Sequence, residues 1–125
     1  MNFLLDSHVL LWWLEDNPRI GPPVRGPISD PGNRVYVSAA SVWEIGIKQA
    51  LGKLSVPGSI LELLQDEGFE ELPMTARHAE AAANLPPIHR DPFDRMLVAQ
   101  TRLEGLTLVT HDIAIQAYKV DVLTV

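Results

Sequence analysis

The segment Asn2-Phe3-Leu4-Leu5-Asp6-Ser7-His8-Val9-Leu10-Leu11-Trp12-Trp13-Leu14-Glu15 changes character at Asp6, and that change sets the reading of the rest of the chain. Asn2–Leu5 reads as a short buried strand. The residues from about Ser7 to Glu15 read as a helix, with Asp6 at the junction. The same alternation repeats outward. Val35-Tyr36-Val37 is a β-branched and aromatic strand, followed by a helix over Ala39–Leu51 that Gly52 stops. Ser59–Asp66 is predicted helical and closed by Gly68, and Phe69–Leu72 is a short strand. The alanine-rich helix Thr75–Asn84 ends at Pro86-Pro87. Pro92–Glu104 gives the clearest helical pattern, with Gly105 as its stop. Thr107–Val109 is a strand, Ile113–Tyr118 a short helix and Val120–Val125 a last strand. Asn17–Asn33 carries five prolines and three glycines, so it is expected to be mostly loop with at most one short helix. Short strands that are apolar on both faces, alternating with helices, predict an α/β fold: a three-layer α/β/α sandwich around a parallel sheet.

A chain of 125 residues with 46% hydrophobic content suits one domain over residues 1–125, with a real core. Without cysteine there is no disulfide framework, thiolate metal site or cysteine nucleophile. The apolar start is interrupted by Asp6 and His8 and lacks a basic lead-in, so no secretory leader is expected. No apolar run is long enough to span a bilayer. A soluble, cytoplasmic protein without membrane attachment is expected. The formal net charge of −6 argues weakly against nucleic-acid binding, but clustered acids that hold divalent cations would offset that charge. No glycine-rich phosphate loop and no Gly-x-Ser-x-Gly elbow is present.

All strands of a parallel sheet end at one edge, where ligands bind. Asp6 follows the first strand, Glu44 lies in the helix after the second, Asp94 sits in the first turn of the Pro92 helix and Asp112 starts the last helix. These four carboxylates are expected to converge there. Packed together they repel unless cations lie between them, and an all-oxygen site suits magnesium or manganese. Local explanations compete. Asp6, Asp91 and Asp112 can each cap a helix, and Asp91-Pro92 has the pattern of a cap followed by proline at the first helical position. Ser41-Val42-Trp43-Glu44 matches a capping box, although inside its helix. Lys48 is placed to pair with Glu44 one turn away. His89-Arg90-Asp91 is either a metal or phosphate site or a loop whose acid caps a helix. Trp12, Trp13 and Trp43 suit base stacking, core or an interface.

The segments Leu4–Trp12, Val37–Ile45 and His89–Arg95, extended by Gly52-Lys53-Leu54, Ala99-Gln100 and Leu108–Asp112, resemble PIN-domain toxins of the VapC type. The resemblance covers almost the whole chain. It implies a magnesium- or manganese-dependent ribonuclease of a toxin–antitoxin pair with an α/β/α fold, usually dimeric and held inactive by a cognate antitoxin. Its acidic positions match Asp6, Glu44, Asp94 and Asp112, and Asp91 is read as the cap that aims Asp94. Ser7 stands where threonine is commoner, and Gly21–Pro31 is richer in proline and glycine than the helical segment often found there.

The chemistry expected is hydrolysis of an RNA phosphodiester, with ions bound mainly by Asp6, Asp94 and Glu44. Arg90, Arg95 and Lys48 are candidates for contacting flanking phosphates. Ser7, Ser38 and Thr110 are read as solvated caps. A catalytically inactive PIN-like interaction module is the alternative. A phosphoryl-accepting receiver domain shares the length and sheet but calls for adjacent acids after the first strand and a lysine after the last. Here Ser7-His8 follows Asp6, and no lysine follows Thr107–Val109 directly.

Overall fold

The computed structural model describes residues Met1–Val125. Its parallel sheet has five strands in the order β3-β2-β1-β4-β5, formed by β1 (Asn2–Leu5), β2 (Arg34–Ser38), β3 (Glu70–Leu72), β4 (Thr107–Thr110) and β5 (Val122–Thr124). The chain builds outward from β1 to β2 and β3 on one side, then returns to place β4 and β5 on the other. The strand order therefore reverses between β1 and β4, which is where open α/β sheets form their binding crevice.

Alternate residues of the strands feed two cores. Phe3, Leu5, Val35, Val37 and Val109 face one layer of helices: α1 (Ser7–Leu14), α2 (Pro22–Ser29), α3 (Ala39–Ala50) and α4 (Ile60–Glu67). These helices contribute Val9, Leu10, Val24, Ile28, Ile45, Ile60 and Leu64. Leu4, Leu72 and Leu108 point the other way and pack with Leu97, Val98, Ile115 and Tyr118. That second layer comprises α6 (Pro92–Glu104) and a final 3-10 helix, Ile113–Tyr118; α5 (Ala76–Ala83) packs on α6 through Ala82, Met96 and Ala99. The three-layer α/β/α sandwich expected from the strand–helix alternation is the fold observed.

The proline-rich segment forms the one short helix allowed for it. Pro22 and Pro23 occupy the first helical positions, where no backbone N–H is needed, and Val24 and Ile28, four apart, bury into the first core. The clear stop at Gly105 has a conformational cause: its φ of 64° is left-handed, which glycine adopts without the strain that a Cβ introduces. No helix is long and apolar enough to cross a membrane.

The tryptophans divide differently from their sequence pattern. Trp12 and Trp13 are half-buried against the first core; Trp13 donates to Glu67 at 3.1 Å, and Arg25 lies over its ring. Trp43 is the exposed one, at 61%; exposed Ile47 of α3 and Leu51 at the helix cap follow it at four-residue intervals.

Candidate active site at the carboxyl edge of the sheet

Asp6 leaves β1 and caps α1, its Oδ1 accepting the Val9 N–H at 2.8 Å. The other oxygen accepts a 2.6 Å hydrogen bond from the hydroxyl of Thr110, the last residue of the adjacent strand β4. Thr110 Oγ1 in turn accepts the Asp112 N–H at 3.0 Å. A single buried hydroxyl thus ties the ends of two neighbouring strands together. Glu44, in α3, accepts from Ser7 Oγ at 2.6 Å and from Lys48 Nζ at 3.2 Å. Asp91 caps α6 through the Phe93 N–H, which leaves Asp94 in the first turn with its carboxylate free of capping duty. Asp112 caps the 3-10 helix with Oδ1. Its Oδ2 lies 2.8 Å from His89 Nε2, and the same nitrogen is 3.3 Å from Asp94 Oδ2.

Asp6, Asp94 and Asp112 line one cavity of about 240 Å³ together with His8, Trp12 and His111. Glu44 opens onto the neighbouring cleft, beside Lys48, Arg90, Asp91 and Phe93. Its charge nevertheless acts on the cavity. Asp94 is pushed up to about 7, first by burial, then by Asp91, and also by Asp6 and Glu44, against the opposing influence of His89. Burial likewise raises Asp6, although the hydrogen bonds from Thr110 and Val9 counteract it. No lysine or arginine pairs with Asp6, Asp94 or Asp112. Several hard oxygen donors, crowded and short of positive charge, fit a divalent cation such as magnesium or manganese.

Several local expectations need revision. Ser7 and Thr110 are buried and donate to carboxylates, so neither is a solvated cap. Ser38 is the true cap of α3, and Ser41 makes no cap. Arg95 does not face the cleft for phosphate: its guanidinium binds the carbonyls of Ala82, Leu85, Pro86 and His89, fastening the α5–α6 connection to α6. Lys48 is paired with Glu44 as expected, while Arg90 stays exposed at the cleft. Capping and convergence are not alternatives here, because Asp6 and Asp112 do both. His8 and His111 line the cavity without being among the expected site residues. Their places beside Asp6 and Asp112 are the signal that was available, since a residue adjoining an acid at a strand end shares that edge of the sheet.

The PIN domain family profile matches residues 3–121. This chain belongs to the PIN-domain family. Among PIN-domain proteins it is similar to Ribonuclease VapC22 of Mycobacterium tuberculosis (strain ATCC 25618 / H37Rv), with 30% identity over 121 residues that cover 93% of this chain and 91% of that one. The PIN fold also superposes on a chain of the DNA-bound VapBC2 structure from Rickettsia felis, with TM-score 0.69, 14% identity and coverage of 99% and 98%. A chain of FitAcB from Neisseria gonorrhoeae gives TM-score 0.64, 21% identity and coverage of 98% and 96%. At those identities the structural likeness concerns the PIN fold alone.

Proposed function

We propose that this chain is a metal-dependent endoribonuclease and the toxin of a toxin–antitoxin pair, acting in the cytoplasm as a single nuclease domain. The observation that carries the reading is the cavity where Asp6, Asp94 and Asp112 meet without lysine or arginine partners, in a chain 30% identical to a protein named as a ribonuclease. Asp6, Glu44, Asp94 and Asp112 hold magnesium or manganese. A divalent ion held there would supply activation of water and stabilisation of charge at the phosphodiester. The chain's own groups prepare the site: Thr110 and the Val9 amide orient Asp6, Ser7 orients Glu44, and Asp94 gives up its carboxyl proton when positive charge arrives. Arg90, exposed at the cleft, is the group placed to meet a flanking phosphate. RNA cleavage should vanish in excess chelator and return with magnesium or manganese. Undiminished cleavage in chelator refutes the metal mechanism.

The antitoxin and a second copy of the chain are the proposed protein partners. Assembly with an antitoxin is supported by the likeness to chains of VapBC and FitAB complexes. The homodimer is supported by the exposed Trp43 and Ile47 of α3 and Leu51 at its C-terminal cap, spaced four apart, which form an apolar stripe at the surface. Light scattering at micromolar concentration should report twice the 13.8 kDa chain mass, and Trp43→Glu should shift it to the monomer. A wild-type monomer at that concentration overturns the dimer.

A further inference from the structure

His89 Nε2, Asp94 and Asp112 offer three ligand atoms within 4.8 Å of one another, a spacing at which one ion could gather all three. On spacing alone His89 would become a nitrogen ligand in an otherwise oxygen site. Its hydrogen bonds argue for a different role. The Asp91 backbone N–H donates to His89 Nδ1 at 3.1 Å, and an amide has no other role to offer in that contact. Nδ1 is therefore the unprotonated nitrogen, and the ring proton sits on Nε2, the atom that faces Asp112 Oδ2 at 2.8 Å and Asp94 Oδ2 at 3.3 Å. A neutral imidazole that binds metal through Nε2 must carry its proton on Nδ1, directly against the Asp91 N–H.

The ring is also held at its backbone. The His89 N–H donates to the Tyr118 hydroxyl at 2.7 Å, and the His89 carbonyl accepts from Arg95. Tyr118 is fully buried, and Arg95 stands next to Asp94 on α6. The loop that carries the imidazole is thus fixed to the helices that carry the two acids.

We propose that His89 is a positioning residue, whose fixed Nε2–H holds Asp112 beside Asp94 and aims the Asp112 carboxylate at the cation without ligating it. The inference rests on the metal-dependent reading above. It makes the site a carboxylate site supported by an imidazole donor, and it gives Asp112 its orientation: Asp112 Oδ1 is occupied in capping, so Oδ2 is the oxygen that His89 steers.

The experiment uses the full chain and two readouts that do not involve activity. Long-range proton–nitrogen NMR of the histidine rings should find the His89 proton on Nε2 in chelator and again with saturating magnesium. Manganese affinity by calorimetry should fall about 10–100-fold in His89→Ala, the usual cost of losing a group that orients a ligand. His89→Gln should stay close to wild type, because its amide N–H reaches the place of Nε2–H, and thermal melts of both variants in chelator confirm that they are folded. A proton transferred to Nδ1 on magnesium binding, or unchanged manganese affinity in His89→Ala, overturns the proposal. A wild-type chain that binds neither ion overturns the metal-dependent reading itself, and this inference falls with it.

Discussion

Asp94→Asn separates electrostatic crowding from helix capping. The folded chain holds the Asp94 proton up to about pH 7, whereas the unfolded chain releases it near 3.8. Folding stability therefore falls as pH rises through that window, and the full penalty is present above it. Each pH unit removes up to ~1.4 kcal/mol, so the window is worth at most about 4 kcal/mol. The side chain keeps 26% of its exposure, and water screens part of the cost; a penalty of ~2–4 kcal/mol remains. Asparagine keeps the shape but carries no charge. In chelator at pH 8 the variant should be more stable than wild type, melting about 10 °C higher at ~4 °C per kcal/mol. The gap should shrink as pH falls towards 4, while the slope from Asp6, also raised by burial, is common to both chains. Manganese at a hundredfold excess over Kd should close most of the gap, since it stabilises wild type by ~2.7 kcal/mol. Cleavage by the variant should drop by orders of magnitude. The assay is urea or thermal unfolding from pH 4 to 9, with chelator and with manganese. A variant no more stable than wild type at pH 8 in chelator, or a gap indifferent to pH, refutes the argument.

Thr110→Val removes the buried donor to Asp6 and the acceptor for the Asp112 amide. Urea unfolding should show a loss of ~1–3 kcal/mol, and Thr110→Ser should restore most of it; equal stability of the valine variant would count against the strand-end tie. Asp91→Asn should retain cleavage, because asparagine caps as well as aspartate, whereas Asp91→Ala should cost ~1 kcal/mol of stability. An inactive Asp91→Asn would show that Asp91 does more than cap.

The sheet and the meeting of Asp6, Asp94 and Asp112 were legible because both follow from local pattern, whereas the expected fourth acid, Glu44, opens onto the neighbouring cleft. Short two-sided apolar strands, each followed by a helix, admit few arrangements, and Asp6 and Asp112 stand directly beyond strand ends. What was not legible depends on distances across the fold. His89 reaches Asp112 over 23 residues through a loop whose path is set by Arg95 and Tyr118, and no periodicity marks such a loop. Ser7 and Thr110 look like ordinary hydroxyls until their burial and partners are seen. Trp12-Trp13 and Trp43 lie on similarly apolar helices, so only the tertiary packing decides which of them meets water.

The hydrogen bond between Asp6 and Thr110 joins residues 104 apart in the chain. Translation runs at ~5–20 residues per second, so the first strand waits roughly 5–20 s for its second neighbour, β4, to be made. Until then β1 has an open edge, and Asp6 lacks both its hydroxyl donor and the companion acids Asp94 and Asp112. A growing chain on the ribosome therefore keeps these acids apart. The acidic cluster can form only once Thr110 and Asp112 have emerged beside β1.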